Sequence, residues 1–510
     1  MMDWTAGYVA DIGYTFGYYR ELNPLLSRLA FLNAGLLPPT PGTHCELGYG
    51  QGLSVNIHAA AGAGVWYGND FNPSQAGFAR TLALASGAEV HLTDEAFSEF
   101  CQRGDLPDFD SIGLHGVWSW ISDENRGHIV DFIRRKLKVG GVLYVSYNTQ
   151  PGWASMLPMR DLLVEYGEAM NAKGMGTAAR VDSALGFAEK LLTVSPRYAR
   201  ANPSVPERIA QGRKESPNYV AHEYFNRDWL PMSFTRMAQW LQPAKLEYAC
   251  SAHYLDHIDA LNLSEEQQAS LAELPDPMFR QTVRDFMLNQ QFRRDYWVKG
   301  ARSLSALEKW EMFHRERIML AEPRDSVPLT AKGTLEGALQ PQIYTPILDA
   351  LADHRPQTLE QLAQGVQDHN IEFRQLVQAV VILTGSAYLC AAQDEAAISR
   401  ARPIAARLNA HFMEQARVGN TIGYLASPVS GGGHSVPRFQ QLFLRAIAAG
   451  KAQPAEWAQE VWQVLEAQGE KILKDGKPLE SAAENIAELT QLAQAFAAQR
   501  LPILKALGIA

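Results

Sequence analysis

Residues 45–60 read CELGYGQGLSVNIHAA. A short apolar run carrying one acid, Glu46, enters three glycines at alternate positions, Gly48, Gly50 and Gly52, with Tyr49 among them. The stretch LSVNIHAAA (53–61) then has the composition of a helix. A strand that passes through a glycine turn into a helix is the opening unit of a parallel α/β sheet, and its turn offers backbone N–H groups to a ligand. Dinucleotide turns space their glycines as G-x-G-x-x-G, but here Leu53 stands where the third glycine would be. Glu46 would also repel phosphates, since like charges a few ångströms apart are costly. S-adenosylmethionine presents an ammonium, a sulfonium and a carboxylate and has no phosphate, so a carboxylate beside the turn suits it.

The next elements repeat the pattern. GVWYGND (64–70) reads as a second strand, and Pro73 sits near the start of the following helix, SQAGFARTLALASG, where its missing N–H costs nothing. AEVHLTD (88–94) and FDSIGLHG (109–116) read as strands three and four. ENRGHIVDFIRRKLKVGG reads as an amphipathic helix closed by glycines, and VLYVSYN (142–148) as strand five. Asp70, with Phe71 beside it, ends strand two, where an acid can take both hydroxyls of a ribose. Asp94 and Glu95 end strand three, where an acid can accept from an adenine amino group, and Phe97 follows to cover the ring.

The whole chain has 510 residues, about three domains at roughly 150 residues each. The core is expected over 1–154 and 226–262, a helical insertion over 155–225, and connecting helices over 263–330, with a boundary at AEPRDSVP (321–328). Residues 341–395 read as three helices and a strand, a winged-helix-like module, and 396–510 as a helical domain with an apolar stripe of Ile486, Leu489, Leu492 and Phe496. SPVSGGGHSVP (427–437) reads as a loop. The fold class is therefore an α/β Rossmann-like core with a mainly helical C-terminal half.

Net charge is −9, and residues 341–395 carry seven acids against two bases, Arg355 and Arg374, so the winged-helix shape is expected to pack or dimerise rather than to read nucleic acid. Cys45, Cys101, Cys250 and Cys390 lie too far apart for metal or disulfide patterns and fit a reducing cytoplasm. The N-terminus has no basic residue before Arg20 and does not read as a signal peptide. The apolar run 376–392 is interrupted and falls short of a membrane span. HEYFN (222–226) lacks the second histidine of a zinc helix, so no metal is expected.

ELGYGQG and NDFNP look like the first two motifs of class I S-adenosylmethionine-dependent methyltransferases. LHGVWSWIS (114–122), GGVLYVSYNTQPGW (140–153), YTFGYYRELNP (14–24) and AHEYFNRDW (221–229) resemble a subgroup with a methyltransferase regulatory domain. That subgroup includes the rickettsial outer-membrane-protein lysine methyltransferases, and the resemblance implies a protein lysine as one acceptor. The fourth-strand element departs from the N-P-P-Y pattern of amide and adenine amino methyltransferases.

An amine acceptor must present a free lone pair, which a desolvating aromatic pocket favours. Trp118 and Trp120 after strand four, Tyr147, Asn148 and Trp153 at and after strand five, and Tyr14, Tyr18 and Tyr19 near the N-terminus offer such groups. Trp118, Tyr147, Asn148 and His115 are the catalytic candidates, His115 as a base or an orienting group. Tyr18 is expected to fold over the cofactor. Two other readings stay open. One is a small-molecule methyltransferase whose extra domains dimerise and close the pocket; the other is a non-catalytic sensor that binds the cofactor and signals through the C-terminal helices.

Overall fold

The computed structural model describes residues 5, 7–13, 15–40, 42–172 and 174–510. Five parallel strands come first: β1 (Thr43–Leu47), β2 (Val65–Asn69), β3 (Val90–Thr93), β4 (Phe109–Leu114) and β5 (Leu137–Asn148). With β6 (Leu246–Ser251) and β7 (Phe292–Lys299) they form one seven-stranded sheet, ordered β3-β2-β1-β4-β5-β7-β6. Only β7 runs antiparallel to its neighbours. Helices α1 (Pro24–Ala34), α2 (Leu53–Ala61), α3 (Pro73–Ser86), the single turn α4 (Phe97–Phe100) and α5 (Asp123–Lys136) punctuate the sheet. Ile112, Leu114, Leu143 and Val145 are all fully buried, as in strands covered on both faces. Strand order reverses between β1 and β4, so the connections leaving their carboxyl ends part to opposite faces and open a crevice there.

Two features differ from expectation. The sheet is completed by two strands, not one, and β7 falls within 263–330, where connecting helices were expected. Its sequence, FRRDYWVK, puts Arg293 and Asp295 among aromatics and so lacks an apolar signature, yet both charged side chains are buried against each other. Strand β5 starts at Leu137, because α5 ends at Lys136 and the backbone turns extended there; the glycines expected to close the helix lie inside the strand.

The insertion is helical from Leu157 to Tyr224 and has a small core of its own, including Met159, Leu163, Leu185 and Val220. It grips the N-terminal segment: Thr177 Oγ1 donates to Asp11 Oδ2 at 2.6 Å and Asn218 Nδ2 to Gly13 O at 3.2 Å, and just past it Asn226 Oδ1 accepts from Val9 N at 2.9 Å. Further along, β8 (Arg317–Leu320) precedes a small hairpin, β9 (Thr330–Lys332) with β10 (Glu336–Ala338). β8 then pairs with β11 (Gln357–Thr358) and β12 (Leu389–Ala391), so the winged-helix-like module takes its central strand from before the 321–328 boundary.

Residues 427–437 are not a free loop: β13 (Tyr424–Ser427) and β14 (Gly432–Ser435) form a hairpin. With the helix Glu395–Gln415 it packs on α2, whose Leu53 and Ile57 share one core with Leu408, Phe412 and Leu425. The helix leaving the glycine turn is thus clamped between sheet and C-terminal half. In the tail stripe Leu489 and Phe496 are buried, while Leu492 faces outward. No helix among the described residues is long and apolar enough to cross a membrane.

Candidate active site

The crevice over β1, β2 and β4 is lined by Gly48, Gly50, Asp70, Phe71, Phe97 and His115, six of the residues singled out in the sequence. Gly48, Gly50 and Gly52 have φ of +67°, +59° and +70°, the left-handed region that side chains disfavour. Space forbids substitution as well: a Cβ on Gly48 would lie 2.7 Å from Val117 Cγ2, and one on Gly52 2.4 Å from Ala79 Cβ. Asp70 braces the turn. Its Oδ2 accepts from Gly50 N at 2.8 Å and its Oδ1 from Asn72 N at 3.0 Å. Tyr49 turns away from the crevice and donates from Oη to Thr93 O at 2.8 Å, tying the turn to β3.

Glu46 lies beneath the turn, and its Oε2 is buried with no hydrogen-bond partner among the described residues. Burial, reinforced by Asp70, pushes its carboxyl up to about 8. Burial pushes Asp70 up to about 6, against the two N–H groups that favour its charge. Of the pair only Asp70 lines the crevice, with Glu46 behind it beneath the turn; a phosphate there would meet one carboxyl with a second close by, whereas a cation would let both ionise. The two raised carboxyls therefore suit a cationic nucleoside.

A pH dependence follows. Between the ordinary carboxyl value of 4.5 and about 8 the folded protein keeps a proton on Glu46 that the unfolded chain has lost, so this group makes the free protein less stable as pH rises through that window. A bound ammonium reverses the preference and expels the proton. Calorimetry at pH 7 in buffers of different ionisation enthalpy should therefore register release of about one proton on binding of S-adenosylhomocysteine, and affinity should rise from pH 6 to 8. No proton release at pH 7 would remove Glu46 from the ligand's surroundings.

Other candidates lie elsewhere. Asp94 turns outward to Arg80 Nη2 at 2.7 Å, and Glu95 pairs with Arg103 at 3.1 Å; neither carboxylate lines the crevice, because a nearby arginine satisfies each. Trp118 is buried in the core with Nε1 on Met232 Sδ at 3.3 Å. Its neighbour two places on, Trp120, lines the crevice instead, with its Nε1 buried and unpartnered among the described residues. Tyr147 is buried, donates to Asp295 Oδ2 at 2.9 Å and does not line the crevice. Asn148 is buried behind Ser119, whose Oγ accepts from its N–H at 2.8 Å. Tyr18 packs between His58 and Tyr424, away from the crevice, and Tyr14 lies outside the described residues.

His115 does reach the crevice. Its Nδ1 is 2.7 Å from Tyr144 Oη, and its ring stacks on that of Tyr19 at 3.5 Å. Burial brings its pKa down to about 4, so the ring is uncharged near neutrality. Sequence reasoning missed Tyr8, Asn69, Gln75, Val117 and Asp228. Tyr8 arrives on the N-terminal segment, edge-on to Phe71 at 5.7 Å, and no local motif announces it.

Over its full length the chain is 40% identical to sll1526 of Synechocystis sp., an uncharacterized protein, the 514 aligned residues covering all of both. The chain belongs to that protein's family. Residues 216–299 match the predicted methyltransferase regulatory domain, the segment that carries β6 and β7. Over 141 residues, 27% of this chain and 56% of the relative, it is 30% identical to the uncharacterized protein RP028 of Rickettsia prowazekii. In structure it resembles PKMT2 from Rickettsia typhi, solved in complex with AdoHcy, with a TM-score of 0.67 at 16% identity over 94% of this chain and 98% of PKMT2. That likeness is one of fold, and it spans the Rossmann-like methyltransferase core and the helical half together.

Proposed function

We propose that the protein is an S-adenosylmethionine-dependent methyltransferase whose acceptor is a protein lysine side chain. The observation that carries this reading is the orphaned, buried Glu46 beneath a glycine turn at the point where strand order reverses. Glu46 and the Gly48–Gly50 turn would hold the amino-acid end of the cofactor, Asp70 its ribose hydroxyls, and Phe71 and Phe97 the adenine ring. When bound, the cofactor supplies a methyl on positively charged sulfur, and the chain's task is to align an uncharged nucleophile with it.

His115 is the residue best placed to serve the acceptor. In the tautomer that donates Nδ1–H to Tyr144 Oη, Nε2 keeps a lone pair on a ring that lines the crevice. Such an uncharged ring can accept a hydrogen bond from an incoming amine and orient its lone pair, and the Tyr19 face fixes the ring's orientation. The sequence resemblance to the rickettsial outer-membrane-protein lysine methyltransferases supports a protein acceptor, as does the acidic net charge, which favours basic partners. A cytoplasmic setting goes with this reading.

The test is direct. Incubate the full chain with methyl-labelled cofactor and size-fractionated cell extract, then hydrolyse the labelled protein. Methyl-lysine is the expected product. Label confined to small molecules would move the acceptor to that class, and cofactor binding without transfer would make the protein a sensor. His115→Gln should lower the transfer rate by about 10² while leaving cofactor affinity within about threefold; an unchanged rate would take His115 out of the chemistry.

A further inference from the structure

Segment 18–20 runs between two sites with its side chains alternating. Tyr19 turns to the crevice and stacks on His115. Tyr18 and Arg20 turn the other way, into a second cavity of about 290 Å³. Its walls come from the N-terminal segment, from β12, and from the β13–β14 hairpin with Arg500 of the C-terminal tail.

Positive groups converge there. Arg20 donates from Nη2 to Thr384 O at 2.7 Å and makes no ion pair among the described residues. Arg500 donates to Ala321 O at 2.8 Å and pairs at 3.1 Å with Glu322, the one carboxylate in the walls among the described residues. His434 meets Ser430 Oγ at 2.9 Å, and burial together with the two arginines brings its pKa down to about 3. Two guanidiniums against one carboxylate leave a net positive charge, beside an apolar wall of Leu25, Leu26 and Leu389.

The GGG run of the hairpin belongs to this cavity. A Cβ on Gly432 would lie 2.5 Å from Tyr18 Oη, and one on Gly433 3.1 Å from the same ring, so only glycines let the hairpin close on Tyr18. A concave site at a junction of domains, with an apolar body and a few convergent polar groups, is what small ligands fill. Guanidiniums match oxyanions in shape as well as charge.

We propose that this cavity binds a small organic oxyanion, its carboxylate or phosphate between Arg20 and Arg500, and that occupancy is transmitted to the crevice through the Tyr18–Tyr19–Arg20 segment. The transmission rests on the cofactor reading; the anion site does not. Tyr19 N donates to Ser54 Oγ of α2 at 2.6 Å, so a displacement of Arg20 is felt at once by the helix leaving the glycine turn and by the ring that positions His115.

The full chain is titrated with inorganic phosphate and, separately, acetate, at constant ionic strength set by chloride. Thermal midpoint is followed first, then S-adenosylhomocysteine affinity by calorimetry. One of the two anions should raise the midpoint saturably where chloride does not, which also names the oxyanion class. At saturation, cofactor affinity should shift by about threefold or more. Arg20→Gln and Arg500→Gln, each checked for folding by circular dichroism, should raise the half-saturating concentration on the order of tenfold. Should Arg500→Gln not fold, Arg20→Gln alone decides, since it gives up a single hydrogen bond to Thr384. Midpoints that follow ionic strength only, or a response retained in the folded variants, overturn the site. Cofactor affinity unmoved at anion saturation overturns the transmission. A chain that responds to anion but binds no S-adenosylhomocysteine at all faults the cofactor reading and leaves the anion site standing.

Discussion

Asp70→Ala is expected to weaken S-adenosylhomocysteine binding by at least about tenfold, and by closer to a hundredfold if the turn relaxes. Two losses combine. The carboxylate can no longer accept from ribose hydroxyls, a charge-assisted contact worth about 1.5–3 kcal/mol. It also no longer fixes Gly50 N and Asn72 N, the bonds of 2.8 and 3.0 Å that hold the glycine turn in its left-handed conformation. Asp94→Ala is the matched control: the same charge is removed one strand away, from a side chain that faces solvent and Arg80, and affinity should change less than about twofold. Calorimetry on both folded variants reads the difference. Equal, small effects would mean that Asp70 serves only the turn, and a dinucleotide bound in its place would overturn the cofactor altogether.

The features legible in the sequence are those written locally. The glycine turn, the five parallel strands and the acid ending β2 each depend on a few neighbouring residues, and each stands where the chain announced it. What stayed hidden depends on facing. WSW (118–120) offered two equivalent tryptophans, but the 3-10 turn there sends Trp118 into the core beside Met232 and Trp120 to the crevice. Tyr18 and Tyr19 are likewise one position apart, yet Tyr18 lines the second cavity and Tyr19 stacks on His115, because the extended backbone alternates their directions. Asp94 ends its strand as Asp70 does, but Arg80 on α3 lies within reach and draws it outward. Strand β7 was hidden for another reason. A strand signature relies on apolar alternation, and here the residues facing one side of the sheet are an arginine and an aspartate that neutralise each other.

That ion cluster yields the largest expected effect on stability. Arg293 donates from Nε to Asp295 Oδ2 at 2.9 Å and from Nη1 to Asp285 Oδ1 at 2.6 Å, while Tyr147 donates to Asp295 from across the β5–β7 pair. The guanidinium also lies 4.5 Å over the Phe234 ring, and all three charged side chains are buried. Arg293→Leu would leave two carboxylates without their counter-charge and should cost about 3–5 kcal/mol, read as an earlier first transition in urea unfolding. The sign of its pH dependence follows from the acids. Burial already holds Asp285 up to about 6 in the presence of Arg293, and without that cation both carboxyls keep their protons to higher pH. The variant's deficit should therefore shrink at pH 5, where protonation is easy, and widen at pH 8. Affinity for S-adenosylhomocysteine measured on the fraction that remains folded should stay within about threefold, because none of the cluster lines the cofactor crevice. A large loss of affinity at unchanged stability would instead bring Tyr147, a catalytic candidate from the sequence, back to the reacting centre together with the ion cluster it donates to.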